Sequence, residues 1–291
     1  MAANLQRAGH QLTVHSRTRA RADALIAGGA TWAERPCDVA AAVDVVITML
    51  PDSPDVEHVL VGPDSVLEGA RDGLIVIDMS TIDPTVTRRL ASSLAVQGVT
   101  LIDAPVSGGE QGAAQARLSI MIGGPEATVD RVRPILESLG TTIVRVGDSG
   151  AGQITKAANQ LVVGATIEAV AEALTLAARA GVDPALVRTV LLGGFAGSKV
   201  LEVHGERMLT GMHSPGFRAR LHRKDAGIVV SLARSVGMPI PGFAAVAGQF
   251  ERLEAEGGSE LDHSALITLL GGVPGRPLVE ALAARRIGEP I

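Results

Sequence analysis

A chain of 291 residues with 46% hydrophobic content has material for two domains with separate cores. A net charge of −5, with four Phe, one Trp and no Tyr, argues against nucleic-acid partners, which need basic grooves and stacking platforms. The single Cys37 excludes an internal disulfide and a cysteine metal cluster, and the residues after Met1 do not read as a signal peptide, so a cytoplasmic protein is expected.

In chain order, residues 12–15 read as a strand and 19–27 as a helix ending at Gly28-Gly29. The apolar run 43–50 is a strand stopped by Pro51, followed by a helix over 54–61 and a strand over 74–79. A helix over 84–96 leads to strand 100–103, and strands 118–122 and 142–146 bracket a helix over 125–139. Strands alternating with helices of about ten residues predict a parallel, helix-covered sheet that binds ligands at its strand-end loops. From Gly152 the pattern turns helical: one long helix reaches Ala180, Asp183-Pro184 opens the next, and no strand is predicted beyond. The stretch 161–180 is the most apolar, yet Glu168, Glu172 and Arg179 mark it as a buried helix, with no membrane span expected.

The chemistry-bearing residues cluster at strand ends and at the start of that helix. In Gly150-Ala-Gly-Gln-Ile-Thr-Lys156-Ala-Ala-Asn159-Gln160, Lys156 and Asn159 share a helix face behind a glycine-rich entry. A lysine that can give or take a proton beside an orienting amide is a candidate acid/base pair, although most helix lysines are simply solvated. Asp103-Ala-Pro-Val-Ser107-Gly108-Gly109 ends a strand in a turn whose backbone N–H groups and hydroxyl suit a carboxylate, or merely need glycine to turn. His15-Ser16-Arg17-Thr18 ends the first visible strand, where a dinucleotide fold grips the adenosine ribose. Arginine with hydroxyls there favours a 2′-phosphate, the alternative being a solvated helix start shared with Arg19 and Arg21. Met49-Leu50-Pro51 and Asp78-Met-Ser80-Thr81 are further strand-end loops, and Lys224-Asp225 is either a cofactor contact or a surface ion pair. The seven histidines show no metal-ligand spacing and no G-x-S-x-G elbow is present, so neither a metal site nor a serine hydrolase is expected.

In combination and in this order, the segments 103–109 and 150–160 and the Lys224-Asp225 pair resemble the β-hydroxyacid dehydrogenase family over nearly the whole chain. The resemblance implies an α/β fold: a Rossmann-type NADP-binding domain over 1–150, then a long interdomain helix and an all-α domain over 151–291 for substrate and homodimer or homotetramer contacts. It implies Lys156 as general acid/base, with Ser107, Gly108, Gly109 and Asn159 on the substrate. Arg17 and Thr18 would bind the adenosine phosphate, and Leu50, Pro51, Thr81 and Lys224 the ribose and nicotinamide of NADP, with NAD as the alternative. The substrate class is a short carboxylate-bearing aldehyde: tartronate semialdehyde first, with 3-hydroxyisobutyrate or succinic semialdehyde as the nearest rivals. A non-catalytic oligomeric binding module is the alternative from another class. The family opens with a strand and a G-x-G-x-x-G loop ahead of the position of Met1, so a sheet lacking that first strand, and a site lacking its pyrophosphate cradle, are expected here.

Overall fold

The β-branched runs of the first half fold as short strands separated by helices, as their spacing predicts. The computed structural model describes residues 1–272; its internal contacts divide the chain into one unit over 1–156 and another from 157 onward. The tail after Gly275, for which the sequence suggests no role, lies outside the described residues. In the first unit α1 (Ala2–Arg7) precedes β1 (Thr13–Val14), and a 3-10 turn (Arg19–Ala22) with α2 (Asp23–Ala27) replaces one continuous helix. Next come β2 (Thr31–Trp32), α3 (Pro36–Ala42), β3 (Val45–Thr48), α4 (Ser53–Val61), α5 (Val66–Gly69) and β4 (Ile75–Asp78). They are followed by α6 (Pro84–Ala95), β5 (Thr100–Asp103), β6 (Val106–Ser107), α7 (Gly109–Ala114), β7 (Leu118–Gly123), α8 (Glu126–Glu137) and β8 (Gly140–Gly147). The starts of α4 and α6 are fixed by proline in the first turn and by Asp52 and Asp83 side chains that accept from Ser53 N and Thr85 N.

β3, β4 and β5 are parallel neighbours, but β7 runs antiparallel to β5 and β6 before β8 pairs with it in parallel. This departs from the all-parallel sheet that the alternation predicts. The reason is length: a parallel crossover needs about a dozen residues or more, and the link from β6 to β7 is shorter, turning back through α7 and a left-handed Ala116. Side chains alternate across the central strands. Ile75, Ile77 and Ile102 pack on one face with Val129, Val132 and Leu136 of α8. Val46, Val76 and Leu101 pack on the other with Val56 and Leu60 of α4 and Leu90 and Leu94 of α6. β1 and β2 form a separate parallel pair, and among the described residues neither β1 nor β3 has a partner on its second edge. The strands thus form two separate sheets, and residues of both open edges line one cavity.

α9 (Ala151–Arg179) starts in the first unit and runs on into the second, which continues with α10 (Pro184–Leu192), α11 (Lys199–Thr210), α12 (Ala219–Ser235), α13 (Pro241–Ala255) and a 3-10 stretch (His263–Leu270). Among the described residues this half has no strand beyond a single bridge between Arg218 and Asp262. Its core joins Ile167, Ala171 and Leu174 of α9 to Phe243, Phe250 and Leu253 of α13 and to Leu266 and Ile267. α9 is long and apolar enough to cross a membrane by length and composition alone. It carries charged Glu168, Glu172 and Arg179, however, and gives one side to this core.

Candidate active site

Register places three polar residues side by side at the ends of three neighbouring strands: Thr48 opposite Asp78, and Asp78 opposite Asp103. Such carboxyl ends of parallel strands are where open α/β sheets present their ligand sites. Asp78 is buried, and its Oδ1 accepts from Thr48 Oγ1 at 2.8 Å and from Ser80 N at 3.1 Å. Burial pushes its carboxyl up to about 6, against the pull of those donors from Ser80 and Thr48. Ser80 Oγ in turn accepts from Leu50 N at 2.8 Å, so the loops after β3 and β4 hold each other.

Asp103 anchors the start of α9. Its two carboxylate oxygens accept from Gly150 N at 2.7 Å and Gln153 N at 3.0 Å, a negative charge on the orphan donors and positive dipole end of a helix. Burial still raises its carboxyl, which these backbone donors oppose. Gly152 makes the approach possible, since a Cβ there would collide with the Met121 carbonyl and stand 2.8 Å from Asp103 Oδ2. Gln153 completes the joint: its Nε2 donates to Ser80 O at 2.8 Å and its Oε1 accepts from Ile82 N at 3.1 Å. One turn further along α9 comes Lys156, only 7% exposed. Thr81 is half-buried between Ser80 and Ile82, the two residues that Gln153 grips.

Arg17, Thr18, Leu50 and Pro51 line a single cavity of about 1320 Å³ in the first unit, together with His15, Ser16, Thr48, Met49 and Asp55. The cavity runs between the open edges of β1 and β3, with Arg17 and the hydroxyls of Ser16 and Thr18 at its strand-end side. The Arg17 side chain is 81% exposed and lies 3.6 Å from Asp55, so an incoming phosphate would compete with a weak, solvated ion pair. The loops after β1 and β3, 15–18 and 49–53, contain no glycine, so neither supplies a glycine cradle for a pyrophosphate.

Ser107 ends β6 opposite Ser119, and Gly108 and Gly109 follow with φ of 135° and 62°, a backbone that only glycine takes without strain. Two more residues singled out in the sequence belong to the second unit: Asn159, half-buried three positions after Lys156 on α9, and Lys224 on α12. Lys224 Nζ lies 2.8 Å from Asp225 Oδ1. This is no exposed surface pair, because Asp225 is buried.

Sequence reasoning missed the residues that hold the others. Asp103 and Gln153 are fifty positions apart, and no local pattern links them. It also missed a buried chain in the second unit, where His204, Asp262 and His263 come together and His263 Nδ1 lies 2.8 Å from His222 Nδ1. Asp262 accepts from Arg207 at 2.5 Å and from the backbone of Gly216, Phe217 and Ser264. With a guanidinium already on it, this carboxylate is matched to an internal cation. Burial would raise its carboxyl, but the donors, His204 first, hold it well below the usual range. Burial, with His222 and His204 nearby, keeps His263 well below an ordinary imidazole.

Comparison with known proteins agrees along the whole described chain. The family model for the NAD binding domain of 6-phosphogluconate dehydrogenase matches residues 1–147, and that for NAD-binding of NADP-dependent 3-hydroxyisobutyrate dehydrogenase matches 150–270. A 2-hydroxy-3-oxopropionate reductase of Escherichia coli (strain K12) is 46% identical over 270 residues, spanning 93% of this chain and 92% of the relative. The structure of Mycobacterium tuberculosis 3-hydroxyisobutyrate dehydrogenase with L-serine superimposes with a TM-score of 0.83 at 32% identity, covering 92% of this chain and 94% of that one. Psf3 in complex with NADP+ and 2-OPP gives 0.85 at 27% identity, covering 92% and 95%.

Proposed function

We propose that this chain, which belongs to the β-hydroxyacid dehydrogenase family, reduces a short carboxylate-bearing aldehyde to its hydroxy acid with NADPH. Tartronate semialdehyde, giving glycerate, is the substrate that the 46% identical relative supports. The observation that carries the reading is the seating of Lys156. It is a buried lysine one turn into a helix whose start is held by Asp103, which accepts from Gly150 N and Gln153 N, and by the Gln153 side chain on the loop after β4.

The dinucleotide, when bound, supplies the hydride that reduces the carbonyl carbon. Lys156 Nζ donates its proton to the carbonyl oxygen as negative charge builds there, and removes that proton in the oxidative direction. Ser107 Oγ and the backbone N–H groups of Gly108 and Gly109 hold the substrate carboxylate, and the Asn159 amide orients the reacting oxygen. Arg17 and Thr18 take the 2′-phosphate, while Leu50, Pro51, Thr81 and Lys224 contact the ribose and nicotinamide; an arginine at the adenosine end supports NADP over NAD. On this reading residues 1–150 serve the cofactor and 151–291 serve substrate and assembly. Exposed Val162, Leu176, Leu186 and Val190 on α9 and α10 support a homodimer or homotetramer that would cover them. The single cysteine supports a cytoplasmic setting.

Turnover of tartronate semialdehyde, 3-hydroxyisobutyrate and succinic semialdehyde by wild type and Lys156→Ala, with NADPH and NADH, tests this. Loss of one well-placed acid/base predicts a fall in kcat of about a hundred- to ten-thousand-fold. Equal rates in the two proteins would remove Lys156 from the chemistry, and an inert wild type would favour a non-catalytic binding module. A preference for 3-hydroxyisobutyrate would move the substrate to the next member of the class.

A further inference from the structure

Of the 26 cationic Lys and Arg side chains only three are lysines: Lys156, Lys199 and Lys224. Arginine is always charged and binds through a planar fork, whereas lysine offers a compact ammonium on a flexible stem. Lys199 is a surface residue at the start of α11, paired with Glu202 at 2.6 Å. The other two are enclosed, Lys156 at 7% exposure and the Lys224 side chain at 14%. A flexible stem carrying a charge in such a place keeps one geometry only if something fixed meets its head.

For Lys224 the structure supplies that group. Successive residues on a helix do not face each other, so the 2.8 Å contact between Lys224 Nζ and Asp225 Oδ1 requires the lysine to fold back over its neighbour's carboxylate. That carboxylate is itself immobilised: Asp225 Oδ2 accepts from Gln160 Nε2 of α9 at 2.6 Å, with both residues buried. The backbone of the same glutamine is met again, its carbonyl lying 3.5 Å from His222 Nε2. His222 stands three positions before Asp225, on the same face of α12. It stacks on Phe250 with ring centres 4.4 Å apart and continues into His263. Side chain and backbone of Gln160 are thus both engaged by one face of α12, next in sequence to Asn159.

We infer that Asp225, aimed by Gln160, is the positioning residue of Lys224: it holds the ammonium in one place. What Lys224 then touches rests on the cofactor reading above; that Asp225 places it does not.

Limiting acetylation with acetic anhydride, read site by site by peptide mass spectrometry, is the test, because three lysines give three separable rates and Lys199 serves as internal reference. Wild type, Asp225→Asn and the near-isosteric but non-donating Gln160→Met are compared, each checked for cooperative melting by circular dichroism. Without the carboxylate that ties down its head, the enclosed Lys224 amine on its flexible stem reaches solvent more often, so its rate relative to Lys199 rises several-fold in Asp225→Asn. It rises by a smaller factor in Gln160→Met, which frees the carboxylate without removing it. An unchanged Lys224 rate, or an equal rise at Lys156 that signals general loosening, overturns the inference. If Asp225→Asn does not fold, Gln160→Met decides alone. Fluorescence titration with NADPH on the same proteins separates the two readings. Faster acetylation with unaltered NADPH affinity leaves Asp225 as the positioning residue and removes Lys224 from the cofactor.

Discussion

Replacing Asp78 by asparagine tests the electrostatics of the strand-end loops. The carboxyl is buried, Oδ1 takes two donors, and Oδ2 has no hydrogen-bond partner among the described residues. Burial lifts its carboxyl from an ordinary 3.8 to about 6 in the folded chain. A carboxyl raised in this way binds its proton more tightly when folded, so stability is greatest below the unfolded value and is lost as pH rises toward 6. Roughly two units at about 1.4 kcal/mol each make about 3 kcal/mol, of which about 2 kcal/mol falls between about pH 4.5 and 7.5. Asparagine keeps an oxygen for Thr48 and Ser80 but cannot ionise, so the variant lacks this pH dependence. Its new amide hydrogens add an offset that is the same at every pH. The assay is urea denaturation across that range, followed by fluorescence of Trp32, the chain's one tryptophan, in β2 of the same unit. The variant should gain about 2 kcal/mol on wild type between the two ends. A stability difference that stays constant with pH would refute a raised carboxyl at Asp78.

Gly152→Ala should destabilise the first unit by about 2 kcal/mol or more, since the added methyl meets the Met121 carbonyl and Asp103; a melting temperature equal to wild type would sink this. Arg17→Ala should weaken NADPH binding while leaving NADH nearly untouched, as measured by fluorescence titration of both, and equal losses would place Arg17 away from the 2′-phosphate. Asp262→Asn should destabilise the second unit by about 3 kcal/mol at neutral pH, because Arg207 and His204 lose their buried partner. Asp262 lies below, and His263 well below, their usual values, so both contributions fade on acidification, through the unfolded histidine range first and the carboxylate range after it. The penalty of the variant, followed by helical circular dichroism, should therefore shrink below about pH 4; one that grows there would reverse the assignment.

The sequence made the long elements legible and hid the short ones. β4 and β5 are runs of β-branched and leucine side chains bounded by turns, and α9 is a long apolar pattern opened by glycine, so periodicity alone locates them. β2 and β6 have two residues each and, unlike the equally short β1 within the run 12–15, stand in no longer β-branched stretch. The reversal of β7 was hidden for another reason: a strand's pattern carries no direction, and only the short link through α7 sets it. At the site, the Lys156 segment stands out because glycine, amide and lysine are local. Asp103 with Gln153, or His204 with His263, become partners only through pairing and packing between distant segments.

The contacts of the first unit link two segments of the candidate site that lie apart in the sequence. Leu50 N donates to Ser80 Oγ, Ser80 O accepts from Gln153 Nε2, and Gln153 N donates to Asp103, which also holds Gly150 N. A hydrogen-bonded path thus runs from a loop lining the cavity to the first turn of α9, three positions before Lys156. Each link involves a buried polar group, which is costly to leave unpaired, so displacement of the Leu50 loop cannot be absorbed locally by a side chain swinging into water. A ligand that presses on Leu50 and Pro51 would be felt at the base of the helix that presents the lysine. The carboxylate at the far end of this path accounts for the strict need for glycine at 152: a methyl would push α9 off Asp103 and shift the amine with it. Reaction geometry in such a site tolerates displacements well under 1 Å. For that reason Ser80, Gln153 and Asp103, although none is assigned a part in the chemistry, should govern kcat as strongly as the residues lining the cavity govern affinity.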